Sequence, residues 1–408
     1  MATRAKGSPS RTGVSRASVR SVGTVTAGSL VANALAYLVQ LPAGRLLGPA
    51  GYGEFAVLLA AMLVLSVPAL ALQTVVAREV VRGVGTSVLW RLIAVVTAVV
   101  AVCSVGGAFA MMAIADSGAG PAFAAMAGAA PLAVIAGGQG LLQGGGRFGV
   151  LGAVLAAVGV LRSVPVIVAV VLGGQATAAL AAGTLGTAVA AVGVVAVAAV
   201  GARSRPARGG AVPVSMVLRA SGVQLVVIVA VSVDLLLSRS VLSAHDAGVY
   251  ALGAVATKAA FWLPQAVGVV VYPRLADPVR STAALRSATG VLVGIGAAVT
   301  AAAALAGPLV PIVVSADYRP VAGLLWLFAY TGSALAVLQL LLLAVIARDR
   351  MRGGLPVAAL VLVEVVLIMT VADSVTSLAV VAAVCATASV LSLWLVLRRV
   401  DGATTTHP

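Results

Sequence analysis

The sequence predicts an all-α polytopic membrane protein with about twelve transmembrane helices in two pseudo-symmetric six-helix lobes. Composition is the first reason. The 408 residues are 62% hydrophobic and 9% charged, with a mean hydropathy of +1.16, so a water-soluble globule could not cover its surface with polar groups. The second reason is the recurrence of apolar runs of about twenty residues, the length that crosses a bilayer.

An internal repeat is the third reason, and it predicts the two lobes. Segment 44–79 has a polar turn, a long apolar helix and a charged exit, and segment 239–275 has the same plan. When the two are aligned, Gly53 falls on Gly248, Phe55 falls on Tyr250, and Pro68 lies one residue from register with a second proline. The chain is therefore predicted to consist of two related halves.

Twelve segments satisfy the length requirement for a membrane-spanning helix. Their approximate bounds are 22–42, 53–77, 88–114, 121–143, 148–172, 176–200, 217–238, 247–272, 287–306, 320–346, 354–372 and 376–397. We number them spans 1 to 12 in chain order. The predicted units are a basic disordered tail at 1–20, an N-lobe at 21–200, a linker at 201–216, a C-lobe at 217–398 and a tail at 399–408.

The positive charges test this number of spans independently. If the spans alternate in direction from an inside N-terminus, 21 of the 26 basic residues fall on one side, and three, Arg45, Arg239 and Arg319, fall on the other. Under the positive-inside rule both termini are cytoplasmic. The net charge of +15 then orients the protein and contacts anionic lipid, and no nucleic-acid partner is needed to explain it.

Motifs for enzymatic chemistry are absent. The two lysines, Lys6 and Lys258, lie outside any GxxxxGK[ST] phosphate-binding loop, and His245 and His407 form neither a metal site nor a triad. The two cysteines lie in separate predicted spans and are expected to be packing residues. We therefore expect no enzyme activity, no cofactor and no metal.

Four ionisable residues lie inside predicted spans, where such groups are costly and are functional candidates. Asp234 in span 7 and Lys258 in span 8 lie at similar depth on a hairpin, so they are expected to pair. This pair is either a structural ion pair or part of a water-filled cavity in which Gln265, on the same helix face, joins Lys258.

Arg162 in span 5 and Glu364 in span 11 occupy nearly equivalent positions in the two halves. Opposite charges at one depth in pseudo-symmetric helices are predicted to face each other across a central cleft. Either charge could instead contact a backbone carbonyl or a lipid headgroup.

The sequence resembles the Wzx-type polysaccharide flippases of the multidrug/oligosaccharidyl-lipid/polysaccharide (MOP) exporter superfamily. Four segments carry the resemblance: GRLLGPAGYGEFAVLLAAMLVLSVPALALQTVVAREV at 44–80, DLLLSR at 234–239, AGVYALGAVATKAAFWLPQAVGVVVYPRL at 247–275 and ADYRPVAGLLWLFAYTG at 316–332. It extends over roughly residues 20–400 and consists of a pattern of Gly, Pro and loop aromatics.

The resemblance implies a multi-pass transporter of the plasma membrane that serves polysaccharide biosynthesis in the cell envelope. Its cargo would be an undecaprenyl-diphosphate-linked oligosaccharide, flipped to the outer leaflet by alternating access. Proton or sodium coupling and contact with polysaccharide assembly machinery are also implied. From their charge and depth, Arg45, Arg162 and Lys258 are candidate cargo-binding residues, joined by Gln265, and Asp234 and Glu364 are candidate ion-coupling residues.

Other functions remain open at this point. A drug/cation antiporter of the same superfamily would share the helix plan, but the sequence has more candidate cavity cations than acids. A major-facilitator carrier would be expected to have a GxxxDRxGRR-like loop, which the first cytoplasmic loops lack. A membrane glycan polymerase or glycosyltransferase would need large outer loops with catalytic groups. Lipid II flippases usually carry two further C-terminal helices, which makes a peptidoglycan precursor less expected as cargo. A non-transporting scaffold is the remaining alternative.

Overall fold

The computed structural model describes residues 16–201, 212–262, 281–347 and 355–404. These residues are helical apart from turns and short loops, and they contain no β-strand. The N-terminal half contains α1 (Arg16–Leu38), α2 (Gln40–Leu46), α3 (Gly48–Leu65), α4 (Val67–Val81), α5 (Thr86–Ile114), α6 (Ala119–Met126), α7 (Ala129–Gly144), α8 (Phe148–Val171) and α9 (Ala176–Gly201).

The C-terminal half follows the same plan. It contains α10 (Val214–Ala230), α11 (Val233–Val241), α12 (Ala244–Trp262), α13 (Ser281–Ala306), the short α14 (Val310–Val313) and α15 (Arg319–Ala322), α16 (Leu325–Ala347), α17 (Leu355–Val371) and α18 (Val375–Thr404). Two 3₁₀ turns, Gly307–Leu309 and Ala316–Tyr318, flank α14.

The helices coincide with the predicted spans and confirm the all-helical membrane fold. In the described part of the chain, nine helical segments are long and apolar enough to cross a membrane, and a tenth is formed if the bent pair α10–α11 is one span. Helix α17 is apolar but only 17 residues long, and α12 covers the first part of span 8. Helix α1 begins at Arg16, so the last five residues of the predicted disordered tail are helical.

Several spans are broken, and proline explains only some of the breaks. Span 2 divides at Ser66, directly before Val67–Pro68, because the ring of Pro68 suits the first turn of a helix. Span 7 bends by 41° between α10 and α11, and no proline lies there. The break creates a buried helix N-terminus at the start of α11, whose first turn contains Asp234.

Helix packing is equivalent in the two halves. In the N-terminal half, span 1 packs on span 5, span 2 on span 4, span 3 on span 4, and span 6 on spans 4 and 5. The corresponding pairs 7 and 11, 8 and 10, 9 and 10, 10 and 12, and 11 and 12 pack in the C-terminal half. The two halves therefore use one packing scheme, as the sequence repeat predicts.

The halves contact each other through α4 and α10, where the Arg78 guanidinium lies against the Met216 sulfur, and also through α3 and α12 at one end of the bundle. We call this the arginine-poor end and define it by the loops at 115–118, 242–243 and 372–374; the opposite, arginine-rich end has the loops at 82–85 and 145–147. Gly53 of α3 and Gly248 of α12, the two glycines aligned by the repeat, contact each other through their backbones. A Cβ atom on Gly248 would overlap the carbonyl of Pro49, so only glycine permits this approach.

Candidate functional site

Two buried carboxylates lie together in the C-terminal half. Asp234 is 4% exposed and Glu364 is 6% exposed, and the two groups are close enough to interact electrostatically. Carboxyl Oδ2 of Asp234 accepts a hydrogen bond of 2.6 Å from the Tyr250 hydroxyl, and Oδ1 accepts one of 2.7 Å from the Leu235 amide. We call Asp234, Tyr250 and Glu364 the acidic cluster.

Two features of the local fold offset part of the cost of burying a charge on Asp234. The residue lies in the first turn of α11, where unsatisfied amides and the helix dipole stabilise an anion. Glu364, on α17, makes no hydrogen bond within the described part of the chain. Two buried carboxylates at short range repel each other unless a proton or a cation reduces their charge. The acidic cluster can therefore bind one positive charge.

Lys258 lies beside the acidic cluster but forms no ion pair with it. The Lys258 ammonium interacts electrostatically with Asp234, but the two groups are more than 4.0 Å apart and form no ion pair. Among the described residues, the ion pairs are those of Glu79 with Arg78 and Arg82. The predicted direct pair of Asp234 and Lys258 is replaced by the bond from Tyr250. Gln265, expected on the same face as Lys258, lies outside the described residues.

The predicted pairing of Arg162 with Glu364 is wrong. Glu364 interacts with Asp234 inside the C-terminal half, whereas Arg162 lines a cavity inside the N-terminal half. Each side chain instead lies within its own half. Depth in the bilayer can be inferred from sequence, whereas the direction of a side chain around its helix also depends on the neighbouring helices.

The cavity beside Arg162 has a volume of about 100 Å³. Spans 1, 2, 4, 5 and 6 surround it, and its polar lining consists of Gln40, Arg162, Ser163, Thr184 and Thr187. Its lining contains no carboxylate. The N-terminal half thus encloses a cation, in contrast to the acids of the C-terminal half.

Arg45 and Arg239 lie toward the arginine-poor end and differ in their contacts. Arg45 is exposed in the last turn of α2, away from both internal sites. Arg239 joins the two halves, since its Nε donates to the Ala115 carbonyl at 2.7 Å and its Nη2 donates to the Asp116 carbonyl at 3.1 Å.

Tyr318 forms a second connection between the halves at this end. Its hydroxyl donates to the Gly44 carbonyl at 3.1 Å, and its ring meets that of Tyr52 edge-on, with centroids 6.3 Å apart. Burial raises the pKa of the Tyr318 phenol, and Asp317 adds to this effect, so the hydroxyl stays protonated and can donate. The arginine-poor end is closed by these contacts.

An apolar groove of about 580 Å³ lies between α13, α16 and α18. Its lining is largely aliphatic, with Trp326 and Tyr330 partly exposed at its surface. The volume lies within the range of pockets that bind organic ligands.

Sequence reasoning missed Tyr250, the hydrogen-bond partner of Asp234. The available signal was the hairpin between spans 7 and 8, which brings a residue eight positions before Lys258 close to the start of α11. It also missed the bond of 2.9 Å from the Tyr52 hydroxyl to the Gln40 side-chain oxygen. The available signal was Gly48–Pro49, which breaks the helix between these two residues.

Comparison with known proteins places the chain by fold alone. No protein-family model matches the sequence, and no curated protein matches it either. Solved structures do match. An inward-facing multidrug resistance MATE family transporter of the MOP superfamily superposes with a TM-score of 0.71 at 14% identity, over 95% of this chain and 100% of that one.

Two further structures extend this similarity. The lipid II flippase MurJ in an inward closed conformation has a TM-score of 0.67 at 8% identity, over 93% of this chain and 87% of that one. An outward-facing MATE family transporter has a TM-score of 0.61 at 16% identity, over 95% of this chain and 97% of that one. The chain is therefore a multi-pass membrane protein with the fold of MOP superfamily transporters.

Proposed function

We propose that the protein is a flippase that moves a lipid-linked oligosaccharide, an undecaprenyl-diphosphate conjugate, to the outer leaflet during polysaccharide biosynthesis at the cell envelope. The fold supports a transporter, since the matched structures are transporters and not enzymes. The orientation implied by the arginines puts both termini in the cytoplasm and the closed, arginine-poor end outside.

Two features together, Lys258 and the apolar groove, are the basis for the proposed cargo. Lys258 is half-buried and free of an ion pair, so it can attract a diphosphate. The groove between α13, α16 and α18 suits a hydrocarbon chain. A lipid-linked glycan has both groups in one molecule. The acidic cluster supplies the coupling site for a proton or sodium ion.

A depletion experiment tests this function. Loss of the protein should accumulate lipid-linked oligosaccharide on the cytoplasmic leaflet, and wild type should restore flipping while Lys258→Met should not. Arg91→Met, which alters an exposed arginine at the arginine-rich end, is the matched control and should restore it. If depletion caused no accumulation, the flippase proposal would be rejected.

A drug/cation antiporter is the second candidate, and the acidic cluster is the observation that favours it. The two functions differ in their need for the groove. Ala301→Trp fills the groove from α13 and should slow flipping of a lipid-linked cargo, whereas it should leave export of a soluble cationic drug unchanged. Drug sensitivity on depletion, without accumulation of lipid-linked glycan, would favour the antiporter.

A further inference from the structure

The cavity in the N-terminal half presents hydrogen-bond donors without matching acceptors. The Thr184 hydroxyl donates to the Ala124 carbonyl at 2.6 Å, and the Thr187 hydroxyl donates to the Gly183 carbonyl at 2.7 Å, so both are satisfied. The remaining polar groups are the Arg162 guanidinium, the Gln40 amide and the Ser163 hydroxyl.

These three groups are free to donate into the cavity. Gln40 accepts the Tyr52 hydroxyl with its oxygen at 2.9 Å, which leaves its NH₂ group unused. Arg162 and Ser163 make no side-chain hydrogen bond or ion pair to any residue that the structure describes, although Arg162 is half-buried and Ser163 is only 4% exposed. The guanidinium carries five donors and no acceptor.

A permanent positive charge in such a place calls for a counter-ion. Burying an unpaired charge costs several kcal/mol, and the lining of this cavity has no carboxylate to offset it. Arginine cannot escape the cost by losing its proton under ordinary conditions. Since no described residue supplies that partner, an anion from solution is the natural candidate.

We propose that this cavity binds a small inorganic anion of the size of chloride, held by the Arg162 guanidinium with the Gln40 amide and the Ser163 hydroxyl as further donors. Size excludes the transported glycan. The cavity measures about 100 Å³, room for an ion with a few waters at roughly 30 Å³ per water, whereas sites for drug-sized ligands measure about 300 to 1,000 Å³.

The anion site is independent of the proposed flippase activity, since its existence does not depend on the identity of the cargo. It also adjoins the closed end of the molecule. Gln40 bonds to Tyr52, and the Tyr52 ring packs on Tyr318 of the other half. A bound anion would hold the Gln40 side chain in the orientation that accepts the Tyr52 hydroxyl.

The test uses the purified full-length protein in detergent at constant ionic strength. Replacing gluconate, which is too large for the cavity, with chloride should raise the thermal unfolding midpoint in a saturable manner, by about 2 to 4 °C. Arg162→Met should abolish this saturable rise and Arg162→Lys should weaken it. Arg91→Met, at an exposed site, should keep it. An equal rise in wild type and Arg162→Met would overturn the proposal.

A second measurement does not depend on the folding of any variant. Crystals of the wild-type protein grown in bromide should show an anomalous scattering peak within hydrogen-bond distance of the Arg162 guanidinium. Water density alone in a well-ordered cavity at high bromide would overturn the proposal. In the thermal measurement, sulfate in place of chloride should give no saturable shift, because a tetrahedral dianion and its hydration shell exceed the cavity.

Discussion

Asp234 is the residue at which local structure and proposed function meet. Its carboxylate accepts hydrogen bonds from Tyr250 and the Leu235 amide and lies at a helix N-terminus, all of which favour its charged form. Glu364 makes no hydrogen bond within the described residues and lies within electrostatic range of Asp234 and Tyr250. Hydrogen bonds thus stabilise the carboxylate of Asp234, whereas Glu364 has none from the described part of the chain. We therefore expect a proton or cation to bind and leave Glu364 more readily than Asp234.

The first prediction concerns ion coupling. Asp234→Asn or Glu364→Gln should reduce the stimulation of transport by the coupling ion by about 10- to 100-fold. This is the loss expected when one charged ligand of the ion is removed. Tyr250→Phe should weaken it less, because the Leu235 amide remains bonded to Asp234. Flipping in proteoliposomes is measured with a sodium gradient at constant pH and, separately, with a pH gradient without sodium.

Asp116→Asn is the control for this series. Its carboxylate is exposed in a loop at the arginine-poor end, and the backbone conformation there, with φ of 45°, suits asparagine equally well. The variant should keep wild-type coupling. If the cluster variants matched Asp116→Asn under both gradients, the acidic cluster would have no role in coupling.

The second prediction concerns Arg239, which bonds to two carbonyls of the opposite half. Hydrogen bonds from a charged donor are worth about 1.5 to 3 kcal/mol each, and solvent exposure reduces this value. Arg239→Gln should therefore increase the population open at the arginine-poor end by about 5- to 30-fold. Arg319→Gln alters an exposed arginine at the same end and should not.

Distances between spin labels on Ala50→Cys and His245→Cys, both exposed near this end, measure the opening in a background without Cys103 and Cys385. A longer distance population should grow with Arg239→Gln. The same distance distribution in wild type and Arg239→Gln would show that the two hydrogen bonds do not control closure.

At the scale of the helix, the contact between α3 and α12 is set by Gly53 and Gly248. The third prediction is that Gly248→Ala will force these helices apart, because the new Cβ overlaps the Pro49 carbonyl. Overpacking of this kind costs about 1 to 3 kcal/mol. Unfolding should start at a lower temperature, and the labels at 50 and 245 should move apart.

Gly106→Ala is the comparison for this helix contact. Gly106 lies within α5, and nothing lies within 4 Å of the position a Cβ would take. Alanine there should be neutral or slightly stabilising, since it favours a helix. Equal thermal midpoints for Gly248→Ala and Gly106→Ala would contradict the proposed role of the glycine contact.

Helix positions were predictable because a span depends on the number of consecutive apolar residues, which the sequence states directly. The breaks within these helices were less predictable. Pro68 marks the break in span 2, but the bend of span 7, next to Ser232, has no proline. Ser232 is fully buried and its hydroxyl has no partner among the described residues, so no local sequence feature accounts for this bend.

At the scale of the whole molecule, two positions that the repeat aligns also contact each other. Gly53 and Gly248 align in sequence and touch in the structure, as expected for equivalent positions close to a pseudo-twofold axis. The candidate site was less predictable, because the internal charges differ between halves. Arg162 and Glu364 occupy related positions, but each faces the core of its own half.

The fourth prediction concerns the orientation of the protein in the membrane. The distribution of arginines predicts that the arginine-rich end is cytoplasmic. Ser87 and Ala119 are exposed and lie at opposite ends of α5 and its following loop. In a background without Cys103 and Cys385, Ala119→Cys should react with a membrane-impermeant maleimide in intact cells, and Ser87→Cys should react only after the membrane is permeabilised.

This experiment also decides which state the structure represents. The contacts of Arg239 and Tyr318 close the arginine-poor end, so labelling of Ala119→Cys from outside would identify a conformation closed toward the exterior. A flippase in that state is closed to cargo from the outer leaflet. The reverse labelling pattern would invert the orientation, and the same closure would then block the cytoplasmic side.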